Sequence, residues 1–285
     1  MEEILDSEKK IHPSAPVVRR NSWRKVLTTG TIFYFLLLVA LLLTGNSNLF
    51  PSLVMVGNFM VPIAYIAFLY ERRHLSRLTM PTVSLAFLYG GLVGIVAAAF
   101  LSPLFVSQLN LGTALTVGLI EEFAKILGVL VIARHRRHDS EMDGLILGAA
   151  VGMGFAALES TGYAFTTFLS YRSISSTVVV TLLRGLLAPL GHGTWTAILA
   201  SVLFRESRNG HFHINLNVIG AYLLVSILHG LWNGLSLVLT PEVGLGLGVI
   251  AAWCLIGSIG LFVLWIRWRD AVRLQTIMPP ETEDI

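Results

Sequence analysis

The chain has 285 residues, 54% of them hydrophobic and only 13% charged, and its mean hydropathy is +0.73. That balance excludes a soluble domain of this size and marks an integral membrane protein. The net charge of +3 does not call for a nucleic-acid partner, because the basic residues follow the positive-inside rule. Of the 20 Lys and Arg residues, all but Lys125, Arg172 and Arg184 lie in the two tails or in every second connection between apolar stretches. Both termini are therefore expected in the cytoplasm.

In chain order, residues 1 to 25 are polar, contain Pro13 and Pro16, and are expected to be a flexible cytoplasmic tail. The first apolar run is too long for a signal-peptide core and no small-residue cleavage site follows it, so it reads as a retained span. Windows of about 20 apolar residues predict eight spans: 26 to 44, 52 to 70, 83 to 106, 113 to 133, 144 to 169, 178 to 204, 216 to 238 and 244 to 266. The expected architecture is an all-α, multi-pass bundle of about eight transmembrane helices in the cell membrane. Its membrane domain covers 26 to 267, and a second flexible tail covers 268 to 285. The sole cysteine, Cys254, permits no intrachain disulfide.

The fourth span carries Glu121, Glu122 and Lys125, each costing roughly 3 kcal/mol on insertion scales, and intramembrane ionisable groups of this kind mark functional sites. Lys125 is spaced i, i+4 from Glu121 and i, i+3 from Glu122, so one ammonium can partner either carboxylate. The other glutamate, about 100° away around the helix, is left to face a cavity. A purely structural ion-pair cluster would use the same spacing. The fifth span opens on a four-residue repeat of small residues, Gly144, Gly148, Gly152 and Ala156, which suits close helix packing in lipid. Glu159 follows Gly152 by nearly two turns and so projects from almost the same face.

Further along come Arg184, Pro189 and His192 in the sixth span and His229 with Asn233 in the seventh. His229 and Asn233 lie i, i+4 on one face, where an imidazole and an amide can aim donors at one point, as an oxyanion requires. They also suit plain interhelical hydrogen bonding. Arg184 is expected to snorkel toward the outer rim. The pattern HGxW occurs twice, at His192 to Trp195 and at His229 to Trp232. The two spans run in opposite directions, so the match does not by itself bring the histidines together.

Carboxylates, imidazoles and an amide are the groups that activate a water and stabilise an oxyanion, which points to hydrolysis within the membrane. In this reading Glu121 or Glu122 is the base and Lys125 holds the other carboxylate. Glu159 and His192 complete proton transfer, and His229 and Asn233 serve the oxyanion. No cofactor is required by the sequence. A divalent metal such as zinc is an alternative, with Glu159, His192 and His229 as ligands drawn from separate helices, although HExxH and cysteine clusters are absent.

The segment Glu121-Glu122-Phe123-Ala124-Lys125 resembles the EExxK motif of the PrsW family of intramembrane proteases, and Phe155 to Glu159 resembles the family's FxxxE motif. The stretch from Arg184 to Pro189 with His192 is similar to the third motif, and His229 to Asn233 to the last. The four occur in family order, and the wider superfamily is similar to the membrane proteases that process prenylated CAAX proteins. The resemblance implies cleavage of a membrane-anchored, single-span protein of the anti-sigma-factor type in regulated proteolysis, with the lipid bilayer as the other partner. Two departures stand out. Ser160 follows the FxxxE glutamate where many relatives have Asn, and the interval from Pro189 to His192 is one residue longer than usual.

Two other classes fit the same residues. A proton-coupled transporter would use them as a relay and would show repeats and broken helices at the midplane. A noncatalytic chaperone or sensor would use the bundle to hold a helix. A water-accessible cavity lined by Glu121, Glu122, His229 and Asn233 would favour the enzyme over the latter.

Overall fold

The computed structural model describes residues 21–73, 76, 78–134, 140–207, 211–239 and 246–277. Helices α1 (Ser22–Thr44) and α2 (Leu49–Tyr70) form a pair. A short α3 (Met80–Leu85) runs through a π turn at Ala86–Gly90 into α4 (Gly91–Phe105). Then follow α5 (Leu111–Ala133), α6 (Glu141–Tyr171), α7 (Ile174–Leu187), α8 (His192–Arg205), α9 (Leu216–Val238) and α10 (Leu247–Ile277).

Among the described residues, seven segments are long and apolar enough to cross a membrane. The remaining expected span, the fourth, is α5, which has 23 residues and differs from them by carrying Glu121, Glu122 and Lys125 along its middle. The chain is thus an all-α, multi-pass membrane protein. The boundaries of the seventh expected span, 216 to 238, coincide with α9. Asn215 starts that helix by accepting from the backbone N–H groups of Asn217 and Val218, and α5 opens with a capping box between Asn110 and Thr113.

Two expectations need correcting. The sixth span is not one continuous helix. Pro189 has no N–H to donate back into α7, so the helix ends at Leu187, a 3₁₀ turn covers Ala188–Leu190, and α8 starts afresh at His192. The last helix runs well past 267, because Trp268, Ala271 and Val272 continue the apolar stripe of α10 against the core. Of the two expected flexible tails, residues 1–20 and 278–285 lie outside the described residues.

The axis of the bundle is α6: 83% of its apolar window is buried, against 11% for α1. It packs on α8, α2, α7 and α4, while α5 packs on α9. The small-residue seam explains the α6–α8 contact. A Cβ on Gly148 would collide with the Thr196 carbonyl oxygen, and one on Gly152 with that of His192, so only glycine lets α8 lie this close. On the other side, a Cβ on Gly118 of α5 would strike the Ser226 carbonyl oxygen of α9. These two close approaches bring α5, α8 and α9 together along their charged and imidazole-bearing faces.

Candidate active site

The residues singled out in α5, α6, α7, α8 and α9 meet in one buried cluster, with Asn233 one turn beyond it. Lys125 Nζ lies 2.7 Å from Glu122 Oε1 and 3.4 Å from Glu121 Oε2. It also lies 2.8 Å from His192 Nδ1 and 4.4 Å from the centre of the Phe155 ring, whose π face is an additional favourable neighbour for the ammonium. Glu122 is therefore the carboxylate that Lys125 holds. Its side chain is 0% exposed, and it is further fixed by His229 Nδ1 at 2.9 Å and Thr196 Oγ1 at 3.5 Å.

Glu121 is held more loosely. Besides the 3.4 Å contact with Lys125, its Oε2 is 3.5 Å from His229 Nε2, and its side chain keeps 11% of its surface open. The two ring nitrogens of His229 thus face the two carboxylates, Nδ1 toward Glu122 and Nε2 toward Glu121. A carboxylate behind an imidazole orients the ring in this way at catalytic and metal sites alike.

Glu159 occupies the other flank. Its Oε2 accepts from Arg184 Nη2 at 2.6 Å and lies 3.2 Å from His192 Nε2. Arg184 does not snorkel outward as expected: it turns in to hold Glu159, and its Nε donates to Ser160 Oγ at 3.2 Å. Ser160, which follows Glu159, thus supplies an acceptor that orients the guanidinium. Among the described residues, the three whose ligand atoms converge within 4.8 Å of one another are Glu121, His192 and His229. The metal set expected from the sequence has Glu159 in place of Glu121 and shares His192 and His229 with this group. Arg184 occupies the Glu159 oxygen that faces the site.

The two HGxW segments do come together. The His192 and His229 rings are 5.1 Å apart and those of Trp195 and Trp232 5.6 Å. Trp195 also lies against His229, with ring centres 4.9 Å apart, so the imidazoles are packed between aromatic walls and held in place. Asn233, one turn beyond His229 on α9, has no side-chain hydrogen bond among the described residues, which leaves its amide free to donate. Thr196, Phe155, Trp195 and Ser160 were not assigned roles from the sequence. The signal for Thr196 was its position one turn after His192.

A cavity reaches this cluster from one side, lined by Ser160, Arg184, His192, Leu187, Trp232 and Trp253 among others. Glu121, Glu122, His229 and Asn233 do not line it, so water from this side meets His192 before Glu121.

The profile of the family described as "PrsW family intramembrane metalloprotease" matches residues 79–265. A Protease PrsW of Oceanobacillus iheyensis is 26% identical over 133 residues, 44% of this chain and 57% of the relative. One of Halalkalibacterium halodurans is 27% identical over 180 residues, 61% of this chain and 79% of the relative. The chain thus spans little more than half the length of the first. No solved structure matches it. All the residues of the cluster fall within the matched region.

Proposed function

We propose that this chain, which belongs to the PrsW family, is an intramembrane peptidase that hydrolyses a peptide bond in a membrane-anchored protein of the anti-sigma-factor type, with Glu121 as its reactive carboxylate. One observation carries the reading. Three carboxylates, Glu121 and Glu122 buried and Glu159 partly so, share two cations, Lys125 and Arg184. Glu122 and Glu159 each have a close cationic partner, and Glu121 does not. The cluster therefore holds one negative charge in excess in a medium where an unbalanced charge costs several kcal/mol. A proton that Glu121 takes from an attacking water, or a metal cation bound there, removes this excess, and these are two of the ways in which hydrolases activate water.

In this mechanism Glu121 takes a proton from the attacking water as its oxygen bonds to the scissile carbonyl carbon. His229 is held by Glu122, and with the Asn233 amide it faces the charge that develops on the carbonyl oxygen. The proton that Glu121 has taken passes by way of His192, oriented by Glu159, to the departing amine nitrogen as the C–N bond breaks, so that both side chains return to their starting state. Lys125 holds Glu122 in place, and Arg184 does the same for Glu159.

The donors present also fit a metal: one carboxylate and two imidazoles from Glu121, His192 and His229 are a set that zinc accepts with one position open. When bound, such an ion would acidify a water and polarise the carbonyl. Elemental analysis of the purified protein tests this directly. About one zinc per chain in the native protein and none in His229→Ala supports the metal set, whereas metal-free protein that still cleaves supports Glu121 acting alone.

The activity itself is tested by reconstituting the protein with a single-span substrate and following cleavage in the native form and in Glu121→Gln. Equal cleavage by both removes Glu121 from the reaction. The second reading, a proton-coupled transporter, is favoured by the break between α7 and α8 beside His192. Proton flux into sealed vesicles without peptide cleavage would establish it.

A further inference from the structure

The cavity beside His192 does more than admit water. Its polar floor consists of Ser160, Arg184 and His192, and its apolar walls are Leu183 and Leu187 of α7 on one side and Trp232 and Trp253 on the other. The tryptophans form a single wall: their rings stack at 5.3 Å with an interplanar angle of 18°, and Trp253 Nε1 donates to the Trp232 carbonyl oxygen at 3.1 Å. Helix α7 packs on α2 and α6, and α10 packs on α8 and α9, but α7 and α10 barely meet. The outer face of α7 is turned to lipid there, with Leu183 41% and Leu186 60% exposed. The slot is therefore a seam in the bundle that leads sideways from the hydrocarbon to the buried cluster.

Resting on the peptidase reading above, we infer that this seam between α7 and α10 is the lateral entry and binding subsite for an unwound, apolar stretch of a membrane-anchored polypeptide. The stacked Trp232 and Trp253 are the positioning wall. The cavity volume, about 60 Å³, holds no more than a few waters, so a polypeptide enters only if the walls part. They part most readily where α7 and α10 share almost no packing.

The floor favours a polypeptide over a lipid tail. A helix must unwind before its peptide bond can be attacked, and each freed backbone group costs several kcal/mol in hydrocarbon unless it finds a partner. The break after Pro189 provides partners, because the first N–H groups of α8, beginning at His192, have no acceptor within the helix, and Gly191 and His192 line the cavity. An acyl chain would leave those groups, and the serine and histidine of the floor, facing methylene.

The test uses the full chain carrying Glu121→Gln in phosphatidylcholine vesicles, so that nothing is cut. A photoreactive benzoylphenylalanine is placed at Leu187, on the wall of the slot, or at Phe100, which is 76% exposed on α4. The probe is a fluorescent synthetic single-span peptide of leucine and alanine with a central Gly-Pro break. We expect the peptide to be labelled about fivefold or more strongly from position 187 than from 100, with the excess abolished by unlabelled peptide. Equal labelling from both positions, or labelling of phospholipid alone from 187, overturns the subsite.

Labelling does not depend on hydrolysis, so the two proposals fail separately. Specific labelling from 187 without cleavage of any single-span polypeptide by the native protein would remove the peptidase reading and keep the slot. Cleavage without specific labelling would do the reverse. For a substrate that is cleaved, Leu187→Trp should lower kcat/KM about fivefold, chiefly through KM; an unchanged kcat/KM counts against the slot.

Discussion

Helix α6 carries acids at its start and again past its middle, and the two regions are built differently. At its start, Glu141 meets Arg267 of α10, with Nη2 to Oε1 at 2.5 Å, and Arg267 Nε donates to Ser201 Oγ at 3.3 Å. Asp143 accepts from the Ser76 hydroxyl. Eighteen residues on, about 27 Å along the helix, Glu159 joins a cluster in which three carboxylates share two cations around two imidazoles. The first region is what a structural ion pair looks like: a carboxylate, its own guanidinium and a hydroxyl that completes the fork. The second has a carboxylate, Glu121, that no cation fully claims, beside two histidines whose rings are held by acids. Burial and charge alone do not distinguish the two regions. The mismatch of charge and the presence of imidazole do.

The comparison breaks most readily at the paired glutamates. Glu121→Gln should lower kcat by about 10³-fold or more with the fold intact, because it removes the loosely held carboxylate, whereas Glu122→Gln should cost about 10 to 100-fold by releasing His229 and Lys125. Turnover of the two variants on one reconstituted substrate checks the order, and equal losses would mean that the carboxylates share the reaction. Asn233→Ala should raise the barrier by about 3 kcal/mol with little change in KM, as expected for one lost oxyanion donor. A raised KM at native kcat would instead place the amide in substrate positioning.

The opposite end of α6 provides the contrast. Glu141→Gln should destabilise the protein by about 3 kcal/mol, because it leaves Arg267 buried and unpaired, and the double change Glu141→Leu with Arg267→Met should recover most of that loss. Thermal unfolding in detergent reads the stability, and kcat per folded molecule should stay within about twofold throughout. A large loss of kcat in these variants would dissolve the distinction between the two regions. The smallest expected effect concerns position. In the orientation expected from the basic residues, with both termini cytoplasmic, Glu121 would lie about 15 Å from the outer end of α5, and products should then end in the outer half of the substrate's span. Product termini at the cytoplasmic end would refute that orientation.

Much of this protein was legible one residue at a time. Hydropathy and length identified the membrane class and the helices, because each span must satisfy its own backbone within lipid. The cost of burying charge singled out Glu121, Glu122, Lys125, Glu159, Arg184, His192 and His229, and the glycine repeat of α6 announced a close contact. The three-dimensional packing decided the rest. Glu121 and Glu122 have the same chemistry and the same hydropathy, and what separates them is the rotation of α5 against α8 and α9, set where Gly118 meets α9 and Gly152 meets His192. The inward turn of Arg184, the exchange of Glu159 for Glu121 in the convergent set, and the meeting of the two HGxW segments follow from the same helix contacts. Periodicity along a chain fixes which residues share a face, but the identity of the opposing face depends on backbones that approach from remote parts of the sequence.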